Sequence, residues 1–179
     1  MGTKTIPTWE EFLSTAREGC KSEWIDGEFH NMSPANLYHE LILSRLMALF
    51  VEFCRSNGDW IWLPSNAVFT MKSGNWRCPD VSLVRRARLA QGTPPPSRAD
   101  FPPDVACEII SPGESASQIQ SKRRDYMESG VIQVWIDPEK RSIELIEPDQ
   151  PLRYFQGCDP IVIFRLPGLQ VIPEGLFKI

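Results

Sequence analysis

The 179-residue chain has no surplus of positive charge, no Cys-x-x-Cys pair and no apolar run approaching a membrane span. Each absence removes a class. With 19 Lys and Arg against 23 Asp and Glu, the formal net charge is −4. That balance argues against tight, non-specific binding of duplex nucleic acid, whose affinity comes from cations set on phosphates. A modest contact, assisted by a metal or restricted to certain sequences, fits better, because acids that hold a metal count against the total until the ion arrives. The five cysteines (Cys20, Cys54, Cys78, Cys107, Cys158) are odd in number and widely spaced. They read as reduced thiols, neither a zinc site nor a disulfide frame. The missing membrane span, and the missing signal-peptide core after Met1-Gly2-Thr3-Lys4, point to a cytoplasmic protein with no membrane partner. No internal repeat is present, and the low-complexity sequence is confined to Pro94-Pro95-Pro96. What remains is 42% hydrophobic, enough for one sizeable core, so residues 1–179 are expected to form a single domain.

The chemistry concentrates between Pro79 and Tyr126. Pro79-Asp80 opens the apolar run Val81 to Val84, and Asp104-Val105-Ala106-Cys107-Glu108-Ile109-Ile110 reads as a second short strand. Side chains alternate along an extended chain, so Asp104, Ala106, Glu108 and Ile110 share one face and Val105, Cys107 and Ile109 the other. Glu108 is thus an acid inside a run that otherwise favours burial, and it needs a partner. Asp104 is a poor one. Four residues along the same strand put its Cα about 13 Å away, whereas a neighbouring strand is only about 4.8 Å off. Asp80 fits if its strand lies beside that of Glu108. Asp149, in Glu147-Pro148-Asp149-Gln150-Pro151, reads instead as a turn former.

A helix is expected from about Ser115 to Ser129, with Ser117 and Gln120 as a capping box and Gly130 as its stop. Gln118, Lys122 and Tyr126 then share a face. Two carboxylates and an ammonium meeting at a sheet edge can hold a divalent metal and activate water for phosphodiester cleavage. On spacing alone, however, Lys122 followed by Arg123 and Arg124 reads equally as a solvated basic face.

The surrounding elements complete an α/β expectation. A short helix is expected over Trp9 to Glu18. A hairpin over Ser22–Ile25 and Glu28–Met32 is turned by Asp26-Gly27, a strong two-residue signal. Its register pairs Trp24 with Phe29 and Glu23 with His30, leaving Glu23 on the face opposite the two rings. A long amphipathic helix spans about Leu37 to Arg55, with Leu41, Leu46, Leu49, Phe50 and Phe53 on its apolar side. Trp60 to Met71 forms a further strand region. Val131–Asp137 and Ser142–Glu147 make a second hairpin, Leu152–Gln156 an edge strand and Pro173–Lys178 a final helical turn. A central mixed sheet with a helix on each face satisfies these elements.

The order of Glu23-Trp24-Ile25-Asp26-Gly27-Glu28, Met32-Ser33-Pro34 with His39, Pro79-Asp80, Glu108-Ile109-Ile110-Ser111-Pro112, Lys122 through Tyr126, Gly130-Val131 and Val134-Trp135-Ile136-Asp137-Pro138 resembles the Uma-two family of bacterial endonucleases. That family belongs to the PD-(D/E)XK, or restriction-endonuclease-like, superfamily, and the resemblance runs from about residue 20 to 178. It implies a restriction-endonuclease-like core and a catalytic set of Asp80, Glu108 and Lys122. The superfamily usually carries its lysine two residues after the glutamate, where this chain has Ile110. In the resembled family the following helix supplies it, which selects Lys122. An aspartate is often found one helical turn earlier, and here that position is Gln118. A further acid from the N-terminal region makes Glu23 a secondary candidate, and His39 is another, although a cross-strand pair and a helix cap explain them as well.

The expected roles follow. Asp80, Glu108 and the backbone carbonyl of Ile109 are expected to hold Mg²⁺ or Mn²⁺, hard ions suited to oxygen ligands. Lys122 is expected to orient water or neutralise the transition state. Arg85, Arg86 and Arg88, with Arg123 and Arg124, are the candidates for phosphate contact. The expected substrate is nucleic acid, DNA above RNA, and a homodimer would let a two-fold pair of sites cut both strands. Two other readings stand beside this one: a non-catalytic nucleic-acid- or protein-binding module on the same fold, since fold alone does not fix function, and a domain that self-associates through exposed aromatics around Trp60 and Trp62.

Overall fold

The computed structural model of the chain describes residues 6–16, 20–32, 34–90 and 93–178. Its spine is a six-stranded mixed sheet built from β3 (Trp60–Pro64), β6 (Val81–Arg85), β7 (Val105–Ile109), β8 (Ile132–Asp137), β9 (Ser142–Ile146) and β10 (Arg153–Gln156). The spatial order is β10-β9-β8-β7-β6-β3. Only β7 and β8 run parallel within it, and the crossover between them is helix α3 (Ala116–Glu128). A parallel pair requires such a crossover.

One face of the sheet is covered by helix α2 (Leu37–Ser56), whose Ile42, Leu43, Leu46, Phe50 and Phe53 pack on Val105, Cys107 and Ile109. The other face carries Ala106, Trp135 and Tyr126 of α3. With helices on both sides, every residue of β7 is buried, the acid included. Each fully buried large side chain here contributes on the order of 1.5–3 kcal/mol.

The helix ends have local causes. Asn36 caps α2 by accepting the His39 amide at 2.9 Å. Ser115 caps α3 in a reciprocal box with Gln118, so the expected box of Ser117 and Gln120 is displaced by two residues. Gly130, at φ +73°, ends that helix in the left-handed region that favours glycine.

A second, four-stranded sheet sits at the N-terminal side: β1 (Ser22–Ile25), β2 (Glu28–Asn31), β4 (Phe69–Thr70) and β5 (Trp76–Arg77), in the order β2-β1-β5-β4. The expected hairpin register holds pair for pair, from Ile25 with Glu28 to Glu23 with His30. Asp26 and Gly27 both have positive φ, 54° and 93°, as a two-residue turn of this kind demands. Helix α1 (Trp9–Thr15) packs Phe12 against Phe29 and Trp76. It ends earlier than expected, and Glu18 lies outside the described residues.

The Trp60–Met71 region divides into β3 and β4, separated by a turn at Asn66 with φ 84°. Trp60 is buried against Phe53, which removes it from any exposed aromatic patch. Asp149, at φ 65°, is a turn residue as expected. The small pair β11 (Ile161–Val162) and β12 (Gln170–Val171) and helix α4 (Pro173–Phe177) close the C-terminal side. All five cysteines are free. None of the described helices is long and apolar enough to cross a membrane.

Candidate active site

Strands β6 and β7 pair antiparallel with Val81 opposite Cys107. Asp80 immediately precedes β6 and stays on the β7 side, where its carboxylate and that of Glu108 both reach the Lys21 ammonium. Backbone bonds lock the pair. The Asp80 amide donates to the Cys107 carbonyl at 3.1 Å, and the Ile109 amide donates to Asp80 Oδ2 at 2.8 Å. Peptide groups two apart on a strand point to the same edge. The Ile109 carbonyl therefore lies on the Asp80 side, and Ile109 lines the cleft the acids share.

That cleft holds about 370 Å³ and is bounded by the loop before α2, the Ser111–Glu114 loop and α3. Lys122 enters it from α3. Its Nζ stands 3.3 Å from Glu108 Oε2 and 2.9 Å from Glu114 Oε1. Tyr126, one turn on, donates its hydroxyl to Glu108 Oε1 at 2.6 Å. His39 Nε2 is 3.3 Å from Asp80 Oδ2. Lys21, just before β1, completes the group: its Nζ is 2.8 Å from Asp80 Oδ1 and 3.9 Å from Glu108 Oε2. Asp80, Glu108 and Lys122 are 6%, 3% and 3% exposed.

Burial and charge act in opposite directions on these groups. Burial would raise the Asp80 carboxyl, but Lys21, His39 and the Ile109 amide hold it below the ordinary carboxylate range. Glu108 moves the other way. Burial pushes it up, and the neighbouring Asp80 and Glu23 charges add to that push against the two lysines. Burial alone would lower both lysines, and the acids around them raise them instead. Tyr126 is pushed well up by burial and by Glu108, so it stays a hydrogen-bond donor.

The chemistry of the donor set suits a hard divalent ion. Asp80 Oδ1 and Glu108 Oε2 converge on a single cationic nitrogen, that of Lys21, and a backbone carbonyl such as that of Ile109 would add a third oxygen of the kind such ions take. Among the described residues no three His, Cys, Asp or Glu side chains form a metal cluster. A site here therefore rests on two carboxylates, backbone and water.

A family sequence profile described as "Putative restriction endonuclease", Uma2, matches residues 9–173. The chain belongs to the Uma2 family. An uncharacterized protein of Synechocystis sp. is 26% identical over 137 residues, covering 76% of this chain and 67% of its own length. A crystal structure from Anabaena variabilis, described as a putative nuclease belonging to DUF820, superposes with a TM-score of 0.83 at 19% identity. It covers 96% of this chain and 98% of that one, which establishes the shared fold.

Two positions singled out by the resemblance, one a departure from the superfamily pattern and one from the family's, have local explanations. Ile110, where the wider superfamily carries its lysine, packs against the cluster around Trp135 and Tyr126. Gln118, where an aspartate is often found, spends its side chain accepting the Ser115 amide at 2.8 Å in the helix cap.

Glu23 does not pair with His30 through its carboxylate, although their backbones are partners. It forms a buried ion pair with Arg77 at 2.9 Å and accepts the Cys78 amide at 3.0 Å. Its hairpin borders β5 and not the Asp80 strand. The expected arginines are not drawn into the cleft. Arg85 and Arg86 lie at the far end of β6, about 16 Å along the strand from Asp80, where Arg85 covers Trp60 and Arg86 donates to the Gly58 carbonyl. Arg88 pairs with Asp104 at 3.1 Å. Arg123 lies over Trp135 and pairs with Glu144 at 2.5 Å. Arg124, on the helix that bears Lys122, is exposed.

Lys21, Glu114 and Arg77 are the residues that reading the sequence missed. Lys21 left one trace: it lies two residues before Glu23, on the same face of the strand that follows. Glu114 and Arg77 left none, since loop reach and a two-residue strand give no periodic signal.

Proposed function

We propose that the chain is a metal-dependent endonuclease that hydrolyses phosphodiester bonds of nucleic acid, with DNA as its substrate. One observation carries this reading: carboxylates from adjacent strands, Asp80 and Glu108, converge on one cation position with the Lys122 ammonium beside them. Asp80 Oδ1, Glu108 Oε2 and the Ile109 carbonyl would hold Mg²⁺ or Mn²⁺. Such an ion, when bound, polarises the scissile phosphate and lowers the pKa of water.

The residues supply the rest. Among the described residues lining the cleft are four carboxylates (Glu40, Asp80, Glu108, Glu114) against two lysines (Lys21, Lys122). That field repels a phosphate until a divalent ion offsets it, which ties substrate binding to metal. In hydrolysis the water oxygen bonds to phosphorus, the sugar oxygen leaves, and that oxygen takes up a proton. Negative charge builds on the phosphate oxygens during the exchange, and Lys122 is set to neutralise it. Tyr126 fixes the Glu108 carboxylate so that its other oxygen faces the cleft. Arg124 is available to a strand running along α3, while Arg85 and Arg86 serve only a substrate long enough to cross the sheet end. A two-fold pair of sites would cut both strands of a duplex.

A second reading, a non-catalytic module that binds nucleic acid or protein, draws on a different observation. All four oxygens of Asp80 and Glu108 already meet protein donors. Incubating supercoiled and linear DNA with wild type and Glu108→Gln, with Mg²⁺, Mn²⁺ or a chelator, separates the two. Metal-dependent cleavage that disappears in the variant supports the nuclease. Binding without cleavage under every metal supports the module.

A further inference from the structure

We propose that Lys21 is a tethered counter-cation standing in the divalent-ion position between Asp80 and Glu108, and that the ion binds by displacing it. This inference rests on the metal-dependent reading of the cleft. Among the described residues, Lys21 is the one whose cation reaches both acids, at 2.8 Å from Asp80 and 3.9 Å from Glu108. Lys122, in contrast, divides its ammonium between Glu108 and Glu114 and is committed to the α3 side.

Two carboxylates this close and this buried need a positive charge between them whether or not a metal is present. The Lys21 nitrogen provides it, at hydrogen-bond distance from Asp80 and at ion-pair distance from Glu108, whereas Mg²⁺ binds such oxygens at about 2.1 Å. Both cations cannot occupy one place. The metal-free cleft is therefore self-neutralised, and metal affinity is set by a competition inside the protein.

The surroundings allow Lys21 to yield. Its backbone is pinned by the Met32 amide, which donates to the Lys21 carbonyl at 2.8 Å. Two residues on, Glu23 is clamped by Arg77. Only the four-carbon stem is free to move, and a lysine stem is flexible and holds its partners as a point charge rather than a fixed fork. The side chain is 14% exposed and lines the open cleft, so the displaced ammonium has water and incoming phosphate to turn to.

The test is calorimetric titration of Mn²⁺ into wild type, Lys21→Met and Glu108→Gln, with thermal melts of each protein before and after metal. Lys21→Gln, which keeps a donor for Asp80, runs in parallel in case the methionine variant fails to fold. The expected result is tighter Mn²⁺ binding by both Lys21 variants, on the order of tenfold as for two mutually exclusive ligands. It is accompanied by a lower metal-free melting temperature that Mn²⁺ restores. If wild type binds Mn²⁺, Glu108→Gln does not, and the Lys21 variants bind equally or more weakly, the ion site stands and the counter-cation role is overturned. If wild type does not bind at all, the metal reading of the cleft falls and this inference falls with it.

Discussion

Two buried charge clusters share helix α3, which gives Lys122 to one and Ser121 and Asp125 to the other, and they are built on opposite plans. In one, Arg77 is clamped between Glu23 at 2.9 Å and Asp125 at 2.6 Å. Asn75 and Ser73 also donate to Asp125, and Ser121 Oγ accepts from Arg77 Nη2 at 2.7 Å. In the other, Asp80 and Glu108 are neutralised by two lysines at the wall of an open cleft. Arginine offers a rigid fork that a carboxylate fits; lysine offers a movable charge. Burial and ion pairing are common to both clusters, so neither marks a site. What distinguishes the cleft is that its cations are lysines lining open space, and the proposed exchange concerns Lys21 alone.

The sharpest way to break this comparison is at the clamp. Arg77→Met leaves Glu23 and Asp125 buried without their cation, and the loss of stability should be about 3–5 kcal/mol in urea unfolding. The folded fraction should still bind Mn²⁺. If instead Arg77→Met is neutral for stability and abolishes metal binding, the two clusters have been assigned the wrong way round.

Next in size is Lys122. Lys122→Met should lower cleavage by about a hundredfold or more, the scale of losing one charge-stabilising donor. Mn²⁺ affinity should change little, because Lys122 is not among the oxygen donors. Equal losses of rate and metal affinity would make it a structural partner of Glu108 only.

Glu23 sharpens the contrast through pH. Burial would raise its carboxyl, but Lys122, Arg77 and Lys21 hold it below the ordinary value of 4.5. A depressed folded pKa adds stability that is fully present above the unfolded value and is lost as pH falls through the folded one. Wild type should therefore exceed Glu23→Gln in stability at pH 7, and the gap should narrow on acidification below about pH 4.5. A gap that does not depend on pH would assign the loss to packing. The smallest effects are expected at the distant arginines. Arg85→Gln and Arg86→Gln should each change cleavage by less than about threefold, the range of a single exposed charge. Arg124→Gln should weaken DNA binding more than either.

The sequence exposed those parts of the molecule that obey a local rule. The Asp26-Gly27 turn fixes the hairpin register, the alternation along β7 separates Glu108 from Val105, Cys107 and Ile109, and Gly130 stops α3. Local rules also produced the errors. Ser115-x-x-Gln118 and Ser117-x-x-Gln120 both satisfy the capping pattern, and the helix begins at Ala116 on the first. Trp60 looks like an exposed strand aromatic until Phe53 of α2 covers it. Lys21 and Arg77 were hidden for a further reason. Their roles depend on β1 meeting β5, a contact between residues 52 apart that rests on Trp24 opposite Trp76. No local pattern encodes that pairing. The site's acids were legible because strands carry a period, and Lys122 was selected by the family resemblance, whereas the place of Lys21 depends on tertiary packing.

The most direct test is a crystal soaked in Mn²⁺ and measured for anomalous scattering. The account predicts one peak between Asp80, Glu108 and the Ile109 carbonyl, with the Lys21 side chain moved aside and no peak beside Glu23 or Asp125. A saturated crystal with no peak at Asp80 and Glu108, or with its peak in the Arg77 cluster, would contradict it.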